Sequence, residues 1–158
     1  MNASFPCQEE SFMDPQIEDA LNKQINHELA SSYHYLAIEA HFEEMNLSGF
    51  ARWMHVQYEE EQDHAMRLYR YLLDRGGKIA LEAINKPPTG YGSPLEVFQA
   101  ALELEQMNTR AINELYSLAM QVNDYATMTH LHWFLDEQVE EEKREGVANE
   151  LLDDCGVA

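Results

Sequence analysis

Glu59-Glu60-Glu61-Gln62-Asp63-His64 is the stretch from which the whole chain can be read. Glu61 and His64 stand three apart, so on a helix they share a face and can reach one ion. Alone the pair is weak, because a chain this rich in glutamate and histidine can contain one by accident. Its weight comes from the residues seven steps either way, Met54 and Leu68, which lie on nearly the same helix face. A carboxylate in an apolar column is costly unless it is paired, hydrogen-bonded or bound to metal. The pattern recurs three times: Glu28 between Leu21 and Tyr35, Glu105 between Phe98 and Ile112, and Glu141 between Phe134 and Ala148.

Punctuation residues place these four acids on four different helices. Asp14-Pro15, a capping residue before a proline at the first helical position, opens a helix that runs to about Glu44. A short turn around Asn46 to Gly49 leads into a second helix, from about Ser48 to Arg75, stopped by Gly76-Gly77. Pro87, Pro88, Gly90 and Gly92 keep the connection from Gly77 to about Gly92 out of helix. Ser93-Pro94-Leu95-Glu96 is a capping box that opens a third helix, ending near Val122. Asn123-Asp124 breaks the chain before a fourth, running to about Asp153. Short first and third connections make antiparallel hairpins. The second can reach ~50 Å when extended, enough to run the ~42 Å length of a helix and set the third helix parallel to the second. The expectation is all-α: a four-helix bundle over 14–155 with one long crossover between the second and third helices.

All four acids are mid-helix, so such a bundle brings them to one level. Four carboxylates there repel without a counterion, and two divalent ions would balance them. Oxygen-rich ligands with one imidazole suit iron or manganese, with zinc as a competitor. The bland alternative is an acidic surface, and it bears most on Glu141, which sits in the run Glu140-Glu141-Glu142. Glu60, Glu137 and Glu140 form a second acidic group beside the first, which fits a satellite metal site and a solvated patch equally well. Tyr35 shares the Glu28 column and can hydrogen-bond a ligand, donate an electron or simply pack. His27, His34 and His41 repeat every seven residues one position before the core column, as a partner face would.

Bulk composition narrows the partners. The 158 residues carry a net charge of −19, which disfavours nucleic acid and anionic membranes and favours cations. Residues 1–13 lack the basic and apolar regions of a signal peptide and read as a flexible tail. No apolar run nears the ~18 residues of a membrane span. Cys7 and Cys155 form neither a zinc spacing nor a disulfide framework. A reducing, cytoplasmic setting is expected.

Four segments carry a family resemblance: 21–35 (LNKQINHELASSYHY), 59–64 (EEEQDH) with Arg67-Leu68 beyond, 104–108 (LEQMN) and 134–143 (FLDEQVEEEK). On these the chain resembles the ferritins, specifically the bacterial non-haem ferritins, over about 16–152. The resemblance implies a ferroxidase centre with one iron held by Glu28, Glu61 and His64. It implies a second iron held by Glu61, Glu105 and Glu141, with Glu61 bridging. Gln138 matches the glutamine beside the pair and Tyr35 the tyrosine near it. Glu60, Glu137 and Glu140, sharing Glu141, match a third iron site. The expected reaction is oxidation of Fe(II) by O2 or H2O2, followed by mineral storage inside a hollow homo-oligomer, a 24-mer in the family.

Departures from the family's relatives matter as much. Bacterioferritins and rubrerythrins carry a second E-x-x-H on the last helix, where this chain has Arg144 three residues after Glu141. The haem-ligand methionine of bacterioferritins is replaced by Gln62, so no haem is expected. Typical ferritins have a fifth helix for which this sequence, stopping at Ala158, leaves no room. A truncation or a more open pore is the expectation that follows. Met128 and Leu131 stand where many animal ferritins place an acidic access gate. Two other functions fit a di-metal bundle: an oxidase with an organic substrate, favoured by a monomer or dimer with an apolar pocket, and a metal buffer without redox chemistry.

Overall fold

The computed structural model describes residues 13–154. Its elements are α1 (Pro15–Glu44), α2 (Ser48–Asp74), α3 (Pro94–Gln121) and α4 (Tyr125–Asp154), with no strand among the described residues. The expected tail falls on 1–12, outside the described residues, as do Cys7 and Cys155. Met13, assigned above to that tail, is instead 3% exposed and packed with Ile17 and Leu21. Its apolar side chain continues the α1 stripe one turn back, so the core begins before the helix does.

Caps set the boundaries. The Asp14 carboxylate accepts from the Gln16 backbone N–H at 2.8 Å. The Ser93–Glu96 capping box is closed in both directions. Three helices end on a residue of positive φ: Asn46 (59°) after α1, Gly76 (74°) after α2 and Asn123 (59°) after α3. In each case the next N–H reaches back to satisfy an orphan carbonyl, Leu47 to Phe42, Gly77 to Leu72 and Asp124 to Ala119. Asparagine does at two ends what glycine does at the third, since its short amide tolerates the left-handed region.

The core divides into two apolar clusters with a polar layer between them. Leu21, Leu68, Ile112 and Phe134 belong to one cluster, and Tyr35, Met54, Phe98 and Ala148 to the other. Each flanking residue of the four columns is therefore buried, one on each side of its glutamate. Along the chain α1 and α4 run from the first cluster to the second, while α2 and α3 run from the second to the first. That order makes α2 and α3 parallel, as the long crossover requires.

The crossover is fastened to α1. Asn22 donates to the Lys78 carbonyl at 2.8 Å and accepts from the Ala80 N–H at 2.7 Å. One helical turn on, Asn26 donates to the Ala80 carbonyl at 2.7 Å and accepts from the Glu82 N–H at 2.8 Å. Two side-chain amides thus pair with an extended backbone as a neighbouring strand would, satisfying its polar groups.

Asp124 ties α2 to α4. It caps α4 by accepting from the Thr127 N–H at 3.1 Å and pairs with both terminal nitrogens of Arg75, at 2.9 and 3.1 Å. Burial alone would raise its pKa, but Arg75 and Thr127 hold the carboxyl below its ordinary value. Asp124→Ala removes a cap and a bidentate pair together and is expected to destabilise by about 2 kcal/mol. Asp124→Asn, which keeps the cap, should recover about half in a denaturant titration. Equal losses in both variants would show that the cap contributes nothing.

Candidate metal centre

All five residues singled out in the sequence meet in the layer between the two clusters. Glu28, Glu61, Glu105, Glu141 and His64 are 0%, 1%, 2%, 0% and 3% exposed. Three of the four carboxylates have partners for both oxygens. Glu28 accepts from Gln24 at 2.7 Å and Asn108 at 3.3 Å. Glu105 accepts from the Tyr35 hydroxyl at 2.7 Å and from Gln138 at 3.3 Å. Glu141 accepts from Gln57 at 3.1 Å and, through its other oxygen, from Arg144. Glu61 accepts no hydrogen bond: both its oxygens and Nδ1 of His64 are buried without a hydrogen-bond partner, with that nitrogen 3.8 Å from one Glu61 oxygen.

An orphaned buried carboxylate is expensive to keep, and its neighbours make it more so. Burial first, and then the negative charges of Glu28, Glu105 and Glu141, raise the Glu61 pKa well above its ordinary value. Burial pushes Glu141 up to about 8, with Arg144 opposing and Glu105 and Glu60 adding. Glu105 is raised by burial against the hydrogen bonds of Tyr35 and Gln138. Tyr35 is raised in turn by burial and by Glu105. Glu61, Glu105 and Glu141 are therefore harder to ionise than solvated carboxylates, and a cation among them would relieve that cost.

Two sets of donor atoms come close enough to share an ion. In Glu28, Glu61 and His64 one atom of each lies within 4.8 Å of the others, and the same holds for His64, Glu137 and Glu141. Opposite ligands on one ion are ~4.2 Å apart at usual metal–oxygen distances, so the first set needs little movement. Glu105 belongs to neither set, and Glu141 approaches His64 and Glu137 while Arg144 and Gln57 hold its oxygens.

The satellite acids have a different setting. Glu60, Glu137 and Glu140 line an open cleft of about 630 Å³ together with Trp53, Lys143, Arg144 and Val147. Glu60 is held by Arg144 at 2.9 Å. Gln138 joins Asn108 to Glu105, at 3.3 Å on each side. Leu131 is fully buried and Met128 packs against the same cluster, so that part of α4 presents apolar atoms. His34 and His41 pack on Tyr91, with ring centroids 5.6 and 5.4 Å away.

Sequence reasoning passed over Gln24, Gln57, Asn108 and Glu145, and it noted Arg144 only as standing in place of a histidine. The signal for the first three was available: each lies three or four residues from a core glutamate, in its apolar column. Glu145 is fully buried, accepts from the Trp53 indole at 3.0 Å and keeps one oxygen unpartnered. Burial raises its pKa to about 7 against that hydrogen bond.

Comparison with known proteins gives a consistent picture. A family model described as a ferritin-like domain matches residues 18–149. A bacterial non-heme ferritin of Staphylococcus aureus is 41% identical over 124 residues, 78% of this chain and 75% of the relative. The Staphylococcus saprophyticus counterpart is 41% identical over 130 residues, covering 82% and 78%. Among solved structures, an open pore ferritin from the hyperthermophilic archaeon Archaeoglobus fulgidus superposes with a TM-score of 0.88 at 40% identity, covering 89% of this chain and 86% of that one.

Proposed function

The chain belongs to the ferritin-like family, and on that footing we propose that it is an iron-storage ferritin with ferroxidase activity. Fe(II) is the substrate, taken up in pairs in the acid layer. Glu28, Glu61 and His64 hold one ion, and Glu61, Glu105 and Glu141 hold the other, with Glu61 shared. Each Fe(II) gives up one electron, and O2 takes two electrons and two protons to leave as H2O2, or H2O2 is itself the acceptor. Ferric ions pass to the acidic interior of a hollow assembly of identical subunits, a 24-mer, where mineral grows.

The observation that carries this reading is Glu61, whose two carboxylate oxygens are buried without a partner amid three more carboxylates. A bridging ligand needs both oxygens free, and its neighbours need negative charge to match two cations. The surrounding amides and Tyr35 fix the other carboxylates in place, so that ligand geometry is set before the ions arrive. The protons that the acids hold without metal leave as iron binds. Glu60, Glu137 and Glu140, with Glu141, offer the acids of a third ion position at the edge of the pair. We place the protein in the cytoplasm, working without haem. Among the described residues no helix is long and apolar enough to cross a membrane.

Stopped-flow absorbance after mixing aerobic metal-free protein with rising Fe(II) tests the proposal. A fast phase that saturates near two ions per chain, followed by slow growth, is expected. Oxidation no faster than iron in buffer would exclude a ferroxidase and leave a metal buffer or an oxidase for another substrate.

A further inference from the structure

Arg144 is a cation supplied by the chain itself, standing at the edge of the pair. One terminal nitrogen sits 2.9 and 3.2 Å from the two oxygens of Glu60, and the other donates to Glu141. The guanidinium thereby bridges two of the four acids grouped above as a third iron site, and it lines the same cleft as Glu137 and Glu140. The position has metal-binding potential of its own, since Glu137 and Glu141 come within sharing distance of His64.

We propose that Arg144 occupies the third-ion position and restrains Glu141, so that this chain handles two ferrous ions per subunit and admits a third only when the guanidinium is displaced. The inference rests on the paired-site reading above and adds a residue that sets its stoichiometry. Arginine suits the role: it is always charged, weakly hydrated, and its fork spans two carboxylates at once. A single positive charge between Glu60 and Glu141 offsets part of the repulsion that a divalent ion would otherwise neutralise. The same contact gives loading an order. Glu28, Glu61 and His64 are free of the guanidinium, so the first ion meets no competitor. The second must draw Glu141 away from Arg144. Glu145, next along α4, keeps a buried oxygen without a partner and interacts electrostatically with Arg144. It offers the displaced guanidinium a second acceptor while Glu60 keeps hold of it.

The test is anaerobic calorimetric titration of the assembled protein with Fe(II), comparing the native chain with Arg144→Leu and Arg144→Gln. The glutamine variant retains a polar side chain and guards against a packing defect from leucine. The native chain is expected to take two ions per subunit and both variants three, with at least tenfold tighter binding of the third. A native chain that takes three, or variants that still take two, overturns the role of Arg144 and leaves the pair intact. A native chain that takes fewer than two defeats the paired-site reading, and this inference with it.

Discussion

Glu61→Gln is expected to lower the initial rate of Fe(II) oxidation at least ~100-fold, to the rate of iron in buffer. The same substitution should make the metal-free protein more stable. Both effects have one origin. Both oxygens of Glu61 are buried without a hydrogen-bond partner, His64 stands 3.8 Å from one of them, and the carboxyl lies within the fields of the other three acids. Without metal it is a buried group with unmet hydrogen-bonding capacity surrounded by like charge. Glutamine keeps the volume and cannot ionise, so the cost of holding an acid in this setting is gone, and stability rises as it often does where a site strained for function is relaxed. With metal it would remove the ligand that the proposed function shares between the two ions. The measurements are stopped-flow oxidation and thermal melting of the same preparations. A variant that oxidises iron at the native rate would show that Glu61 is not at the centre of the chemistry. A variant destabilised without metal would show that its burial is satisfied in a way the hydrogen bonds do not reveal.

The second large effect is on pH. Between about pH 6.5 and 8 the metal-free protein should lose about 2 kcal/mol of stability, or ~6 °C in Tm. Glu141, raised to about 8, and Glu145, raised to about 7, keep protons in the folded state that they surrender on unfolding. Glu61 is raised well above its ordinary value and acts in the same sense. The folded state then binds more protons than the unfolded one, and stability falls as pH rises through the folded values. Below about 6.5 the trend is blunted. His34 is lowered by burial, and His130 is lowered to about 4 by burial and Arg67. A lowered imidazole contributes stability that grows as pH rises to its unfolded value, opposite in sign to the acids. A redox-inert divalent ion such as Zn(II) should flatten the fall, because metal replaces the protons. Calorimetry across this range, with and without Zn(II), decides it. Metal-free stability that climbs from pH 6.5 to 8 would rule out neutral acids in the core.

The fold was legible because its punctuation is local. Asp14-Pro15, Gly76 and Ser93-Pro94-Leu95-Glu96 act within a turn of themselves, and the seven-residue columns need only the helical period. The left-handed asparagines were harder to read, since most asparagines are not in that region. The core glutamates could be placed because each interrupts an apolar column, and so one member of Glu140-Glu141-Glu142 could be told from its neighbours. Arg144 could not. Its sequence position shows that it follows Glu141 by three, but not that its other nitrogen reaches Glu60 on a different helix, which depends on the side-chain conformation and on what lies across the groove. Glu145 is hidden for a related reason: in a chain this acidic, a fifth buried carboxylate looks like one more surface charge.

The two hairpins are close-knit within themselves, α1 along α2 and α3 along α4, and approach one another less closely. The acid layer lies across that seam, with Glu28, Glu61 and His64 contributed from one side and Glu105 and Glu141 from the other. The seam is therefore where the subunit would first breathe, and amide hydrogens beside it should exchange before those inside either hairpin. A pair of ions fastened to both sides would act as a rivet through it. Cargo, on its way to storage, would momentarily become part of the framework, and a subunit would be at its most rigid while it is working and at its loosest while it waits.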